Sequence, residues 1–168
     1  RQESNLASVI SNFPDIQFII APHEVSIQRL SKIKNQFGEN CALLSACNSG
    51  ELPHVLVVDS IGLLSELYSD SDIAYIGGGY TGKLHNIIEP AAKKNMILFG
   101  PKIDHFPEAI EMEKAGFAKR ITGHKELKET LASFVSKPDE LIEKKIKSQE
   151  FVKERRGATQ IVLSLIHI

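Results

Sequence analysis

Short apolar runs separated by stretches of helical period are the feature that most constrains this chain. The runs are Gln17 to Ala21, Ala42 to Ser45, Val55 to Val58, Ile73 to Ile76, Met96 to Phe99 and a weaker Ala118 to Ile121. All but the last are nearly continuous rather than alternating, which is what strands buried on both faces require. Between them Leu30, Ile33 and Phe37 recur at spacings of three and four, and Leu63, Leu64 and Leu67 repeat the stripe over a shorter stretch. Strands alternating with helices in this way predict an α/β fold, a parallel sheet with helices on both faces. The strand signal stops after Ile121, and two helices are expected to follow, His124 to Ser136 and Pro138 to Arg156.

At 168 residues the length predicts one domain, residues 1–168, able to bury roughly 70% of its unfolded surface. Twenty Lys and Arg against 21 Asp and Glu give a net charge of -1, so broad electrostatic attraction to nucleic acid is excluded. The basic residues between Lys144 and Arg156 are interleaved with acidic ones, which reads as a solvated helix face. No apolar run approaches the ~20 residues of a membrane-spanning helix. Cys41 and Cys47 have neither metal-ligand spacing nor the density of a disulfide scaffold, and the histidines form no ligand set, so no metal is expected. The start at Arg1, without Met or signal segment, reads as the interior of a longer polypeptide.

The segment richest in chemistry runs from Ile76 through Gly77-Gly78-Gly79 to Gly82-Lys83-Leu84-His85-Asn86-Ile87-Ile88-Glu89-Pro90. A strand leads into glycines and then into a helix expected to start near Asn86. Glycines there let a ligand approach the backbone, and a helix start offers N–H groups and the positive end of its dipole. Gly77, Gly79 and Gly82 spell the dinucleotide fingerprint, but the helix opens too late and the next strand ends in Gly100-Pro101 without an acidic residue, which argues against a nicotinamide cofactor.

Each of these residues also has a plainer role. Asn86 and Glu89 have the spacing of a capping box, while Glu89 at an anion site is also placed to accept hydrogen bonds from a ribose diol. Asp59-Ser60-Ile61-Gly62 and Pro22-His23-Glu24 read individually as turns, with Asp59 or Ser60 as a helix cap. All three segments nevertheless fall at the C-terminal ends of predicted parallel strands, where open α/β sheets bind ligands.

On these residues the sequence resembles the C-terminal half of the 3-deoxy-D-manno-octulosonic acid (Kdo) transferases. The family's Gly-Gly-rich loop running into Gly-His-Asn-x-x-Glu-Pro is matched by Gly77 to Gly79 and His85-Asn86-Ile87-Ile88-Glu89-Pro90. Its Asp-Thr-x-Gly-Glu-Leu turn is similar to Asp59-Ser60-Ile61-Gly62-Leu63-Leu64, its Phe-Gly-Pro turn to Phe99-Gly100-Pro101, and its closing helix start to Gly157-Ala158-Thr159. Leu63 stands for a Glu, Leu84 for a Gly, and Ala21-Pro22-His23 lacks the family's Arg between Pro and His.

The resemblance implies a Rossmann-like half of a GT-B glycosyltransferase that binds the nucleotide sugar CMP-Kdo, with no cofactor and no metal. An N-terminal acceptor domain holding the catalytic carboxylate would be absent here, leaving no catalytic residue in residues 1–168 and the chain alone inactive. Gly78, Gly79, His85 and Asn86 would hold the phosphate or the Kdo carboxylate, Glu89 the ribose, and Ser60, Ile61 and Gly62 the cytosine through backbone groups, with His23 on the same rim. The parent would be an inverting transferase of lipopolysaccharide biosynthesis, delivering Kdo to a lipid A precursor at the cytoplasmic face of the bacterial inner membrane as a peripheral protein. Two alternatives use the same loop and carboxylate: a GT-B transferase or epimerase with a UDP-sugar, and a non-enzymatic nucleotide-binding module.

Overall fold

The computed structural model describes residues 2–47 and 52–166. All six expected strands form, each within a residue or two of its apolar run: β1 (Phe18–Ile20), β2 (Cys41–Leu43), β3 (Val55–Val57), β4 (Ile73–Ile76), β5 (Met96–Phe99) and β6 (Ala118–Arg120). Every pairing is parallel. The helices are α1 (Gln2–Ile10), α2 (Ile27–Phe37), α3 (Leu64–Ser69), α4 (Ile88–Ala92), α5 (Pro107–Lys114), α6 (His124–Ser136) and α7 (Pro138–Ile166). The α/β reading therefore holds, with parallel sheets flanked by helices.

The strands form two three-stranded sheets, in the orders β1-β3-β2 and β4-β5-β6. The chain divides accordingly into two compact units, residues 1–64 and 65–168.

In the first unit β3 lies centrally, with Phe18 opposite Val55 on one side and Cys41 opposite Val55 on the other. Ile10 of α1 and Ile33 of α2 pack with Cys41, Val55 and Val57 into its core. Ser26 caps α2 by accepting the Arg29 N–H, and Gly38, at φ 62°, ends it in a left-handed conformation.

The second unit is built on β5, whose four residues are all buried. Ile97 and Phe99 pack with Ala74 and Ile76 of β4, Ala91 of α4, Ala109 and Met112 of α5, and Val152 of α7. Each buried large apolar side chain contributes about 1.5 to 3 kcal/mol, so β5 anchors the loops at its ends. Pro138 opens α7, where the missing N–H costs nothing. The helix then runs past the expected end at Arg156, because Gly157 carries a helix penalty of only about 1 kcal/mol and no proline follows. Its backbone thus absorbs the Gly157-Ala158-Thr159 segment, whose side chains lie outside the described residues.

Candidate functional site

Within the first unit, the loops after β1 and β3 leave the same edge of its parallel sheet, since Ile20 pairs with Val57. His23 is exposed on the first loop, and Ser60, Ile61 and Gly62 are exposed on the second. Gly62 has φ 95° with no atom within 4 Å of where a Cβ would sit, so the turn needs its backbone freedom and not its small size. Asp59 does not cap α3. Its carboxylate instead accepts the N–H of Ser45 at 3.0 Å and the Ser45 hydroxyl, tying the loop after β3 to the loop after β2. The hydroxyl bond holds the Asp59 carboxyl below the usual carboxylate range.

In the second unit the glycine segment leaves β4 and folds into a tight turn. The Gly78 carbonyl accepts the N–H groups of Thr81 and Lys83, both at 3.0 Å, and the Gly77 carbonyl accepts that of His85 at 3.2 Å. Gly78 has φ 87°, and a Cβ there would stand 1.8 Å from the Lys83 carbonyl oxygen and 2.9 Å from Cδ2 of His85. The His85 ring therefore lies across Gly77 and Gly78, which brings three of the motif's residues together.

Gly79 is buried against the loop after β5. A Cβ at Gly79 would meet the Gly100 N at 2.5 Å, and the Gly79 carbonyl accepts the Lys102 N–H at 2.8 Å. The Phe99-Gly100-Pro101 turn is thus the seat of the glycine turn, a role that neither segment reveals alone.

The helix after the glycines differs from expectation. It starts at Ile88, two residues later than predicted, and has five residues. The Asn86 Oδ1 accepts the N–H groups of Ile88 at 3.0 Å and Glu89 at 3.3 Å. Asn86 therefore performs the capping half of its double reading, and these two N–H groups are already engaged. Glu89 does not complete the box: among the described residues, no side-chain hydrogen bond from it to the Asn86 N–H is present. Glu89 is half-buried in the first turn of α4, next in sequence to buried Pro90 and Ala91. Burial and, secondarily, the Glu89 charge push the Tyr68 phenol up.

A buried polar knot, not legible in the sequence, braces this unit. Asn95 is fully buried; its amide donates to the carbonyls of Tyr68 at 2.7 Å and Lys93 at 3.2 Å and accepts the Ser71 hydroxyl at 2.6 Å. Arg120, at the end of β6, is held by Glu113 at 2.8 Å and Asp104 at 3.3 Å, so Asp104 is an ion-pair partner in this fold. Among the described residues no three His, Cys, Asp or Glu side chains cluster as a metal site, and no helix is long and apolar enough to cross a membrane.

No family profile matches the chain. Individual relatives do. The chain is 29% identical over 135 residues to the 3-deoxy-D-manno-octulosonic acid transferase of Chlamydia trachomatis, a match covering 77% of this chain and 30% of the relative. It is 31% identical over 140 residues to a probable mitochondrial 3-deoxy-D-manno-octulosonic acid transferase of Arabidopsis thaliana, covering 78% of this chain and 31% of that one. The chain is a homologue of the Kdo transferases. It spans about 30% of the length of these Kdo transferases. The fold matches the C-terminal CMP-Kdo binding domain of WaaA from Acinetobacter baumannii with a TM-score of 0.73, at 16% identity, over 88% of this chain and 82% of that one.

Proposed function

We propose that this chain is the donor-binding part of a Kdo transferase and takes CMP-Kdo. The observation that carries the reading is the glycine turn seated on Gly100, with His85 laid across it and the Glu89 carboxylate left without a capping bond. Homology to Kdo transferases and the fold shared with a CMP-Kdo binding domain support it.

In this reading the exposed face of Gly78 and the His85 ring meet the phosphate or the Kdo carboxylate, and the Asn86 Nδ2 donates from beside them. Gly79 contributes by seating the turn. Glu89 accepts hydrogen bonds from the ribose hydroxyls. The sugar–phosphate bond of the donor is already activated. An acceptor oxygen would attack the anomeric carbon with inversion, the bond to the phosphate oxygen would break with its electron pair leaving on CMP, and the acceptor proton would pass to a base. This chain would serve the departing CMP, while the base, the lipid A precursor and contact with the membrane surface belong to the rest of a longer enzyme.

Calorimetric titration of residues 1–168 with CMP and UMP tests the proposal. CMP should bind measurably and more tightly than UMP, and the chain alone should not turn CMP-Kdo over onto a lipid acceptor. Absence of CMP binding, or a preference for UMP, would overturn it.

A further inference from the structure

An anionic donor needs positive charge, and the structure takes away the source that the sequence pattern suggests. With five residues, α4 is too short to act as a helix-end site, and its Ile88 and Glu89 N–H groups are engaged by Asn86. The N–H groups of Thr81, Lys83 and His85 are engaged within the glycine turn, and that of Lys102 by Gly79. A full positive charge at the turn is therefore left to side chains.

Two lysines are held at the turn by their own backbones. Lys83 donates its N–H to the Gly78 carbonyl at 3.0 Å, and Lys102 donates its N–H to the carbonyl of the next residue, Gly79, at 2.8 Å. They reach the turn from different loops, one following β4 and the other following β5. Both are exposed, and among the described residues neither has an ion-pair partner. Elsewhere in this unit Lys119, Lys144 and Lys145 are each matched to a carboxylate. Asp104, two residues beyond Lys102, is taken by Arg120.

We infer that Lys83 and Lys102 form a two-cation clamp for the phosphate of a bound nucleotide. The inference deepens the donor-site reading and rests on it: Lys83 and Lys102 supply charge where the glycines supply access. Lysine suits this task as a mobile point charge, without the fixed planar fork of arginine.

The test titrates CMP and cytidine into the unaltered chain, Lys83→Gln, Lys102→Gln, the double variant and a control, Lys93→Gln, at low and moderate salt. Lys93 is exposed in the same unit but its N–H bonds to α4 and not to the glycines. Each single variant should weaken CMP about tenfold, the fold-change of one charge-assisted hydrogen bond, and the double variant more. Cytidine binding and the control should be unchanged, and the salt dependence of CMP binding should shrink in the double variant. Thermal melts establish that the variants are folded, and Lys102→Arg should recover part of the loss. If the unaltered chain fails to bind CMP, the donor-site reading and the clamp both fall. If it binds CMP and the double variant binds it equally well, or if Lys93→Gln loses as much, the clamp alone is overturned.

Discussion

The two units carry comparable rim turns on sheets of the same size, yet secure them differently. In the first, the Ser60–Gly62 turn stands exposed, Ile61 is 92% accessible, and its anchor is the pair of bonds from Ser45 to Asp59. In the second, the glycine turn is packed backbone to backbone against Gly100, above a strand whose Ile97, Leu98 and Phe99 are fully buried. A glycine therefore means two things in one molecule. At Gly62 it relieves a dihedral angle, at Gly79 it leaves room for neighbouring main chain, and at Gly78 it does both.

Alanine substitutions should expose that difference. All three tyrosines, Tyr68, Tyr75 and Tyr80, lie in the second unit and the chain has no tryptophan, so intrinsic fluorescence follows that unit while far-ultraviolet circular dichroism follows both. The largest effect belongs to Gly78→Ala, which combines a left-handed backbone with a contact no side-chain motion can relieve. It should lower the urea stability seen by fluorescence by roughly 3 kcal/mol or more. Asn95→Ala, which removes the bonds to the Tyr68 and Lys93 carbonyls and leaves the Ser71 hydroxyl only its 3.3 Å bond to the Tyr68 carbonyl, should cost the same unit about 2 kcal/mol. Gly62→Ala should cost only about 1 to 2 kcal/mol and leave the tyrosine transition in place; a shift of that transition as large as that of Gly78→Ala would erase the contrast. Asn86→Ala removes a cap and should cost about 1 kcal/mol.

The smallest effect is one of pH. The Asp59 carboxyl is held below its ordinary value by Ser45, so its stabilisation is present above the unfolded value of 3.8 and is lost as pH falls through the lower folded value. Melting temperatures of the unaltered chain and Asp59→Asn should converge as pH drops through that window, by circular dichroism and not by tyrosine fluorescence.

The strands were legible because burial on both faces leaves a local mark, a nearly continuous apolar run at each position. Pairing leaves none. Nothing in Val55 to Val58 says that it sits between Phe18–Ile20 and Cys41–Leu43, or that the six strands form two sheets. Short amphipathic helices were harder to read: α1 shows Leu6, Val9 and Ile10 over little more than one turn, and α5 buries only Ala109 and Met112 of its eight residues. At the site, the His-Asn-x-x-Glu-Pro pattern located the helix start to within two residues. It did not reveal that Asn86 would take the first N–H groups without a return bond from Glu89, because a capping box and half of one share a sequence. Lys83 and Lys102 went unmarked because their link to the glycines runs through backbone carbonyls.

Glu89 separates a ligand-binding site from a structural turn most directly. Calorimetry of CMP and its 2'-deoxy form against the unaltered chain and Glu89→Gln gives four affinities, and glutamine preserves the side chain's length. The account predicts that CMP binds most tightly to the unaltered chain, that either change alone weakens binding by about 1.5 to 3 kcal/mol, and that the second change adds little after the first. Equal affinities in all four combinations would contradict it and return Glu89 to a structural role.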